Sequence, residues 1–458
     1  MTTQDNAVLP ARQMESIKVD NLLINFTTEF QRIQDTAAIP SQRASFWRPI
    51  PAPDLLHGYF SLGDIALRDH DNPNGTMVTP VVCEGEHTGS EKTKGHALNR
   101  PVDFELIWRN SASAVATRLY IWRPIAPIGY VALGTVCTND NTKPSFNSLR
   151  CVREDLVTEA GIGEQIWNDK GSRVKLNCSV WSIAPPFGII GEICLTSGSF
   201  IADQSHQVPA SHHKAYALRV PIAVEVSTPA EAPTLTTSSG PVSDGAKKIT
   251  QVARLPWFAV TDQLQPTEQF QQTPFYQLRR TDQYMLVGST RNDTEHSLPV
   301  KWIANPAHNR HEMLLFSDVS SIRVHSTWPA KVPTDHRVIR FRACLPDSFN
   351  YTERTSTGWL DPQSVVVLAM AAKGKSMAVY RMQSHYELLR ADGTKIASDL
   401  HYADNDSLYL TEFPAQSEET EQECPLPLTA SSAQAATVDV DMTVEPAPEL
   451  PVVTDSAP

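Results

Sequence analysis

The 458-residue chain is short of glycine, with 20 residues, and its seven cysteines (Cys83, Cys137, Cys151, Cys178, Cys194, Cys344 and Cys424) are dispersed, odd in number and without a Cys-x-x-Cys pair. That spacing supports neither a zinc site nor a disulfide framework, so reduced thiols are expected and no metal or cofactor is called for. No stretch reaches the roughly 18 uninterrupted apolar residues of a membrane-spanning helix, and Met1 to Pro10 lacks the basic start and apolar run of a secretory signal. Cytoplasmic synthesis without a signal peptide is expected, with secretion by another route left open. Positive charge is scarce too. Lys and Arg number 39 against 51 Asp and Glu, a net charge of −12 that argues against a nucleic-acid partner.

The acidity is local. Nine acidic residues and no Lys or Arg lie between Pro414 and Pro458, so −12 less −9 leaves the rest of the chain at −3. With no aromatic residue after Phe413, this tail cannot bury enough apolar surface to order itself, and a disordered acidic tail is expected over 414–458. Proline, by contrast, is abundant at 34 residues and points to many short strands.

One phrase occurs three times. Phe30 to Asp35, Phe46-Trp47-Arg48-Pro49-Ile50-Pro51 and Gly58-Tyr59-Phe60-Ser61-Leu62-Gly63-Asp64 are echoed by Phe104 to Arg109, Ile121-Trp122-Arg123-Pro124 and Gly129-Tyr130-Val131-Ala132-Leu133-Gly134. A third copy holds Glu164 to Asp169, Val180-Trp181-Ser182-Ile183-Ala184-Pro185 and Gly188 to Gly191. The step from Ile33 to Trp47 is 14 residues, and those from Ile107 to Trp122 and from Ile166 to Trp181 are both 15. Each unit has room for roughly four short strands. Its isoleucine and tryptophan segments read as a hairpin, ended by proline and followed by a strand that starts at the glycine. The tryptophans are expected to be structural and to cap a shared interior. Three such sheets close most simply around a common centre, each covering the edge of the next. The expected fold is all-β: a flexible N-terminus (1–14), a pseudo-threefold β-prism-like domain (15–225), a Ser/Thr/Pro linker (226–248) and a second β-rich domain (249–413).

The phrase Trp47-Arg48-Pro49…Gly58-Tyr59…Leu62-Gly63, with its echo at Trp122, resembles the vacuolar protein sorting-associated protein 62 family over about residues 20–225. The third copy departs, with Ser182 in the arginine position and Ile189 in the tyrosine position. The family name implies delivery to the vacuole; the resemblance implies no reaction, cofactor or catalytic residue. Prism-like folds also look like plant lectin and toxin receptor-binding modules, an analogy of fold alone.

In the second half, short apolar runs such as Trp257 to Val260, Met313 to Phe316 and Val365 to Leu368 favour strands over helices. Phe275 to Arg280 and His385 to Arg390 form a weak echo that suggests internal pairing. Ala369 to Ser376 approaches a phosphate-binding loop but lacks its first glycine and its helix, so a hairpin turn is expected. His308 to Glu312 and His212-His213 lack metal-ligand spacing, and no Gly-x-Ser-x-Gly elbow is present.

No enzyme is expected. Candidate binding residues are Arg48, Arg123, Tyr59 and Tyr130, where a guanidinium beside a ring could meet an anionic or sugar ligand; strand-end bracing is the alternative. The leading expectation is a recognition protein for a glycan, lipid headgroup or protein surface, compatible with peripheral membrane contact. A pore-forming or insecticidal-type toxin, inserting Gln269 to Thr294 or Arg323 to Cys344, is a second expectation. A vacuolar-trafficking scaffold using the acidic tail is a third.

Overall fold

The computed structural model describes residues 14–36, 43–86, 94–110, 118–171, 176–186, 191–209, 214–237, 242–260, 262–304, 341–343, 354–355, 358–359, 364–396, 400–403 and 407–414. The acidic tail beyond residue 414, His212-His213, His308 to Glu312 and, apart from Phe341–Ala343, the stretch Arg323 to Cys344 lie outside them. The described chain is nearly all β, as expected, with one α-helix, α1 (Pro266–Gln272).

A short strand β1 (Ile17–Val19) precedes the repeats. The first repeat comprises β2 (Leu22–Thr27), β3 (Phe30–Asp35), β4 (Ala44–Pro49), β5 (Phe60–Ser61), β6 (Ile65–Arg68) and β7 (Thr79–Glu84). The second comprises β8 (Leu98–Asn99), β9 (Asp103–Arg109), β10 (Tyr120–Ile125), β11 (Tyr130–Val131), β12 (Val136–Thr138) and β13 (Cys151–Arg153). The third comprises β14 (Val157–Asn168), β15 (Ser179–Ala184), β16 (Glu192–Thr196), β17 (Phe200–Asp203) and β18 (Ala215–Pro221).

Pairing repeats with the sequence. One set of sheets runs β3-β4-β6, β9-β10-β12 and β14-β15-β17; the other runs β2-β7-β5, β8-β13-β11 and β14-β18-β16. The long β14 fills two positions at once, pairing with β18 through Val157 to Ala160 and with β15 through Gly161 to Asn168. Each repeat thus has six strand positions rather than four, because the two-residue β5 and β11 are too short to leave a periodicity in the sequence.

Register makes the tryptophans equivalent: Trp47 lies opposite Ile65, Trp122 opposite Val136 and Trp181 opposite Ile201. Their neighbours Phe46, Ile121 and Val180 face Ala66, Cys137 and Ala202, and these six share one buried cluster with Trp108, Trp167 and Phe200. Phe46 meets Trp167 and Phe200 edge to face at ring separations of 6.3 and 5.7 Å. The expectation that tryptophan caps this interior is corrected. Adjacent strand residues point to opposite faces, so Trp47 packs outside with Phe30, Ile65, Leu67 and Met77, and Trp122 with Phe104, Tyr120 and Leu149. The repeated isoleucine has its own role. Each hairpin ladder skips an isoleucine, Ile33, Ile107 or Ile166, and the β14–β15 ladder shifts a second time between Ile162 and Gln165. This bulge turns all three toward the common cluster.

The second half holds β19 (Ala223–Val226), β20 (Lys248–Pro256), β21 (Phe275–Arg291), β22 (Leu298–Ala304), β23 (Phe341–Ala343), β24 (Arg354–Thr355), β25 (Gly358–Trp359), β26 (Val365–Ala371), β27 (Ser376–Leu389), β28 (Leu400–Ala403) and β29 (Tyr409–Phe413). The main sheet runs β19-β20-β21-β27-β28, with β29 also on β27, while β22 pairs with β26 alone. The echoed segments lie opposite each other, Leu278 with Leu388 and Arg279 with Glu387. Residues between the halves lie along β21: Gly245 N donates to Tyr284 O at 2.7 Å, and Leu286 N donates to Asp244 Oδ1 at 2.8 Å.

The halves share a core. Phe26 sits 5.1, 5.4 and 6.0 Å from the rings of Trp257, Phe258 and Phe270. The same cluster takes in Ile24, Leu62, Leu133, Leu195 and Leu218 from all three repeats.

Candidate interaction surfaces

The repeats converge on one point. Two residues before each residue that faces a tryptophan stand Gly63, Gly134 and Ser199. A Cβ added to Gly63 would lie 2.6 Å from Ser199 Oγ and 3.0 Å from Gly134 Cα, so the space admits one side chain among three equivalent positions. A ring of hydrogen bonds links the next positions. Asp64 N donates to Thr135 O (2.8 Å), Thr135 Oγ1 to Phe200 O (2.7 Å) and Ser199 Oγ to Asp64 O (2.6 Å). The recurring Leu-Gly of the phrase is therefore a packing requirement at the centre of the body.

Arg48 belongs to this junction. Its Nε and Nη2 donate to the two oxygens of Asp64 at 2.8 and 2.9 Å, and Nη2 also donates to Cys137 O at 2.9 Å. Cys137 N donates to Asp64 Oδ2 at 2.6 Å, so the carboxylate ties the first repeat to the second. Burial lifts the Asp64 carboxyl above its ordinary range, opposed by Arg48 and the Cys137 N–H. Burial also pulls at the Arg48 guanidinium, but the Asp64 charge outweighs it and holds the pKa above its usual value.

Arg123 occupies the matching place in the second repeat, where the counterpart of Asp64 is Thr135. Without that carboxylate it turns outward to Glu105, at 3.1 Å on the surface. Each tyrosine follows a glycine with φ +81°, Gly58 or Gly129. The Tyr59 hydroxyl lies 2.5 Å from Ser16 Oγ, and burial raises its pKa. Tyr130 Oη donates to His96 O at 2.7 Å. The four candidates thus engage four different partners. Trp122 Nε1 donates to Thr138 Oγ1 at 2.9 Å, and Trp181 Nε1 to Ser179 Oγ at 2.7 Å.

Sequence reasoning missed Asp64, Thr135 and Ser199. The one available signal was Leu62-Gly63-Asp64 set against Leu133-Gly134-Thr135, which places a charge in one copy only.

Outward-facing groups are of another kind. The loop after β4 exposes Leu55 at 59%, and the loop after β10 exposes Ile128 completely. Ile125 and Val102 are also exposed beside Ile128, joined by a hydrogen bond from Val102 N to Ile125 O at 2.8 Å. The third counterpart, 187–190, lies outside the described residues.

In the second half, Ala372 to Lys375 forms a tight turn, with Gly374 at φ +70°. It leads into the strand β27 rather than a helix N-terminus. The expected hairpin is corrected, since β26 pairs with β22 and β27 with β21. Among the described residues, no three His, Cys, Asp or Glu are placed to hold a metal ion, and no helix is long and apolar enough to cross a membrane.

Three convergent repeats, two of them with Leu-Gly at the junction and the third with Gly198-Ser199, mark the first half. Residues 11–227 match the family model of vacuolar protein sorting-associated protein 62. That match covers 217 of the 458 residues, all of them in the first half of the chain. Within the matched segment lie all four candidate binding residues and the repeated Trp47, Trp122 and Trp181. No curated protein matches the sequence. Among solved structures, GNIP1Aa from Chromobacterium piscinae is 21% identical with a TM-score of 0.34, over 43% of this chain and 35% of that one. The chain thus spans about a third of GNIP1Aa (35%). Cry35Ab1 is 10% identical with a TM-score of 0.31, over 87% of this chain and 91% of that one.

Proposed function

We propose that the protein is a non-enzymatic recognition protein whose first half is a rigid three-repeat body carrying loops to a glycan, lipid headgroup or protein surface. The carrying observation is a division of labour. The polar groups of the repeats, Arg48, Asp64, Thr135 and Ser199, are engaged with one another at the centre, whereas Leu55, Ile125 and Ile128 face solvent. Exposed aliphatic groups on loops fixed by such a body bind by losing water from their surface. The test is retention of the full chain on glycan and lipid arrays. The Leu55→Asp/Ile128→Asp variant should bind at least tenfold more weakly with an unchanged melting temperature. No retention of the wild type on any surface would remove this reading.

A toxin-like reading, in which part of residues 249–413 inserts into a membrane, is favoured by the exposed apolar face of β22 and β26. A pore-lining strand needs a polar face toward the lumen. The seven residues of β26 offer none, and β21, within Gln269 to Thr294, is held by β20 and β27. Release of trapped dye from vesicles tests it; vesicles that bind protein without leaking would eliminate the pore.

A further inference from the structure

A strand with one face in water alternates apolar and polar residues, yet β26 reads Val-Val-Val-Leu-Ala-Met-Ala without a polar residue. One face of the β22–β26 pair is accounted for. Leu298, Val300 and Trp302 with Ala369 and Ala371 pack with Met377 and Leu410, and Trp302 lies so close to Gly288 of β21 that a Cβ there would overlap its ring. The other face is built by three cross-strand pairs: Pro299 with Met370, Lys301 with Leu368 and Ile303 with Val366. Ile303, Val366, Leu368 and Met370 are between 48% and 62% exposed. A sequence that repeats aliphatic residues on both faces specifies an apolar contact on both.

Lys301 selects the kind of contact. It stands at the centre of the outer face, flanked by Pro299 and Ile303 along β22 and facing Leu368 across the pair. A dry protein surface packed there would strip water from the ammonium and supply no counter-charge, a penalty of several kcal/mol. At a lipid surface the same residue is an asset. Its aliphatic stem lies along the apolar patch while the ammonium reaches the phosphate layer.

We propose that the outer face of β22 and β26 docks flat onto a phospholipid surface, with Ile303, Val366, Leu368 and Met370 in the acyl boundary and Lys301 on the headgroup phosphates. This contact is separate from the loop tips of the first half and does not depend on them.

The experiment is flotation of the full chain with phosphatidylcholine vesicles, with and without phosphatidylserine. Wild type should float with both and bind severalfold more with phosphatidylserine. Leu368→Asp/Met370→Asp should lower binding to both at least tenfold, and Lys301→Gln should remove only the phosphatidylserine increment. If the double variant melts lower than wild type, Leu368→Ser alone supplies the readout, with a severalfold loss expected. Absence of wild-type binding to either vesicle overturns the proposal, as does a double variant that is folded and floats like wild type. A concentration-dependent dimer in sedimentation, abolished by the double variant, would assign the face to a second copy and also overturn it. Leu55→Asp/Ile128→Asp is run in parallel. Loss there with retention in the hairpin variant places membrane contact in the first half alone, so the two proposals fail separately.

Discussion

The first half spreads its fold over many short strands that return to one centre, while the second half runs its main sheet through two long ones, the 17-residue β21 and the 14-residue β27. In the first, position is set by convergence: Phe46, Ile121 and Val180 are fixed because three copies must share one interior. In the second, position is set by register along a ladder from Gln277–Leu389 to Arg291–Ser376. The two schemes meet where Phe26 enters the rings of Trp257, Phe258 and Phe270. One buried cluster therefore belongs to both halves.

The largest expected effect tests that meeting point. Trp257→Ala should cost about 3–5 kcal/mol, and probes in both halves should lose signal in one shared transition. Separate transitions in circular dichroism and tryptophan fluorescence would show that the halves are energetically independent. Next is the asymmetry between equivalent arginines. Arg48→Met leaves the fully buried Asp64 carboxylate without its main partner and should cost about 2–4 kcal/mol, a value reduced for the part of Arg48 that meets water. Arg123→Met removes a surface pair and should change stability by less than about 0.5 kcal/mol. Equal losses in chemical denaturation would break the account of the junction.

Gly134→Ala should cost about 1–3 kcal/mol by overpacking. Adding Ser199→Gly should recover part of it but not all, since the new Cβ still lies 3.0 Å from Leu62 O. A pH-dependent effect belongs to the second half. Asp262 accepts hydrogen bonds from Arg390 Nη2 and Nε at 2.6 and 2.8 Å and from Tyr276 Oη at 2.6 Å. Burial lifts its pKa, but these donors outweigh burial and leave it below the ordinary carboxylate value. A depressed folded pKa contributes stability above the unfolded value of about 3.9, and loses it as pH falls through the folded one. The melting-temperature gap between wild type and Asp262→Asn should therefore be present near neutral pH and close below about pH 4. A gap that widens in acid would contradict the assignment.

The triplication, the all-β class and the pairing of the two echoed segments were legible in the sequence, because repeated wording and β-branched runs report local structure directly. The inward residue of each hairpin was not. Tryptophan is the most conspicuous member of the phrase, and only register shows that Phe46, Ile121 and Val180 point inward while it points out. The candidate site was legible only in part. Arg48 and Arg123 share a motif, and what separates them is Asp64 against Thr135, a difference that acts through contact between repeats. The apolar outer face of β22–β26 was half visible as the run Val365 to Leu368, but a run cannot say which of its side chains is already covered.

The junction of Gly63, Gly134 and Ser199 makes the three repeats non-interchangeable. Only one side chain fits there, and Ser199 supplies it, with a hydroxyl that donates to Asp64 O. A copy of the first or second repeat set in the third place would leave that pocket empty, and a copy of the third set in either other place would overfill it.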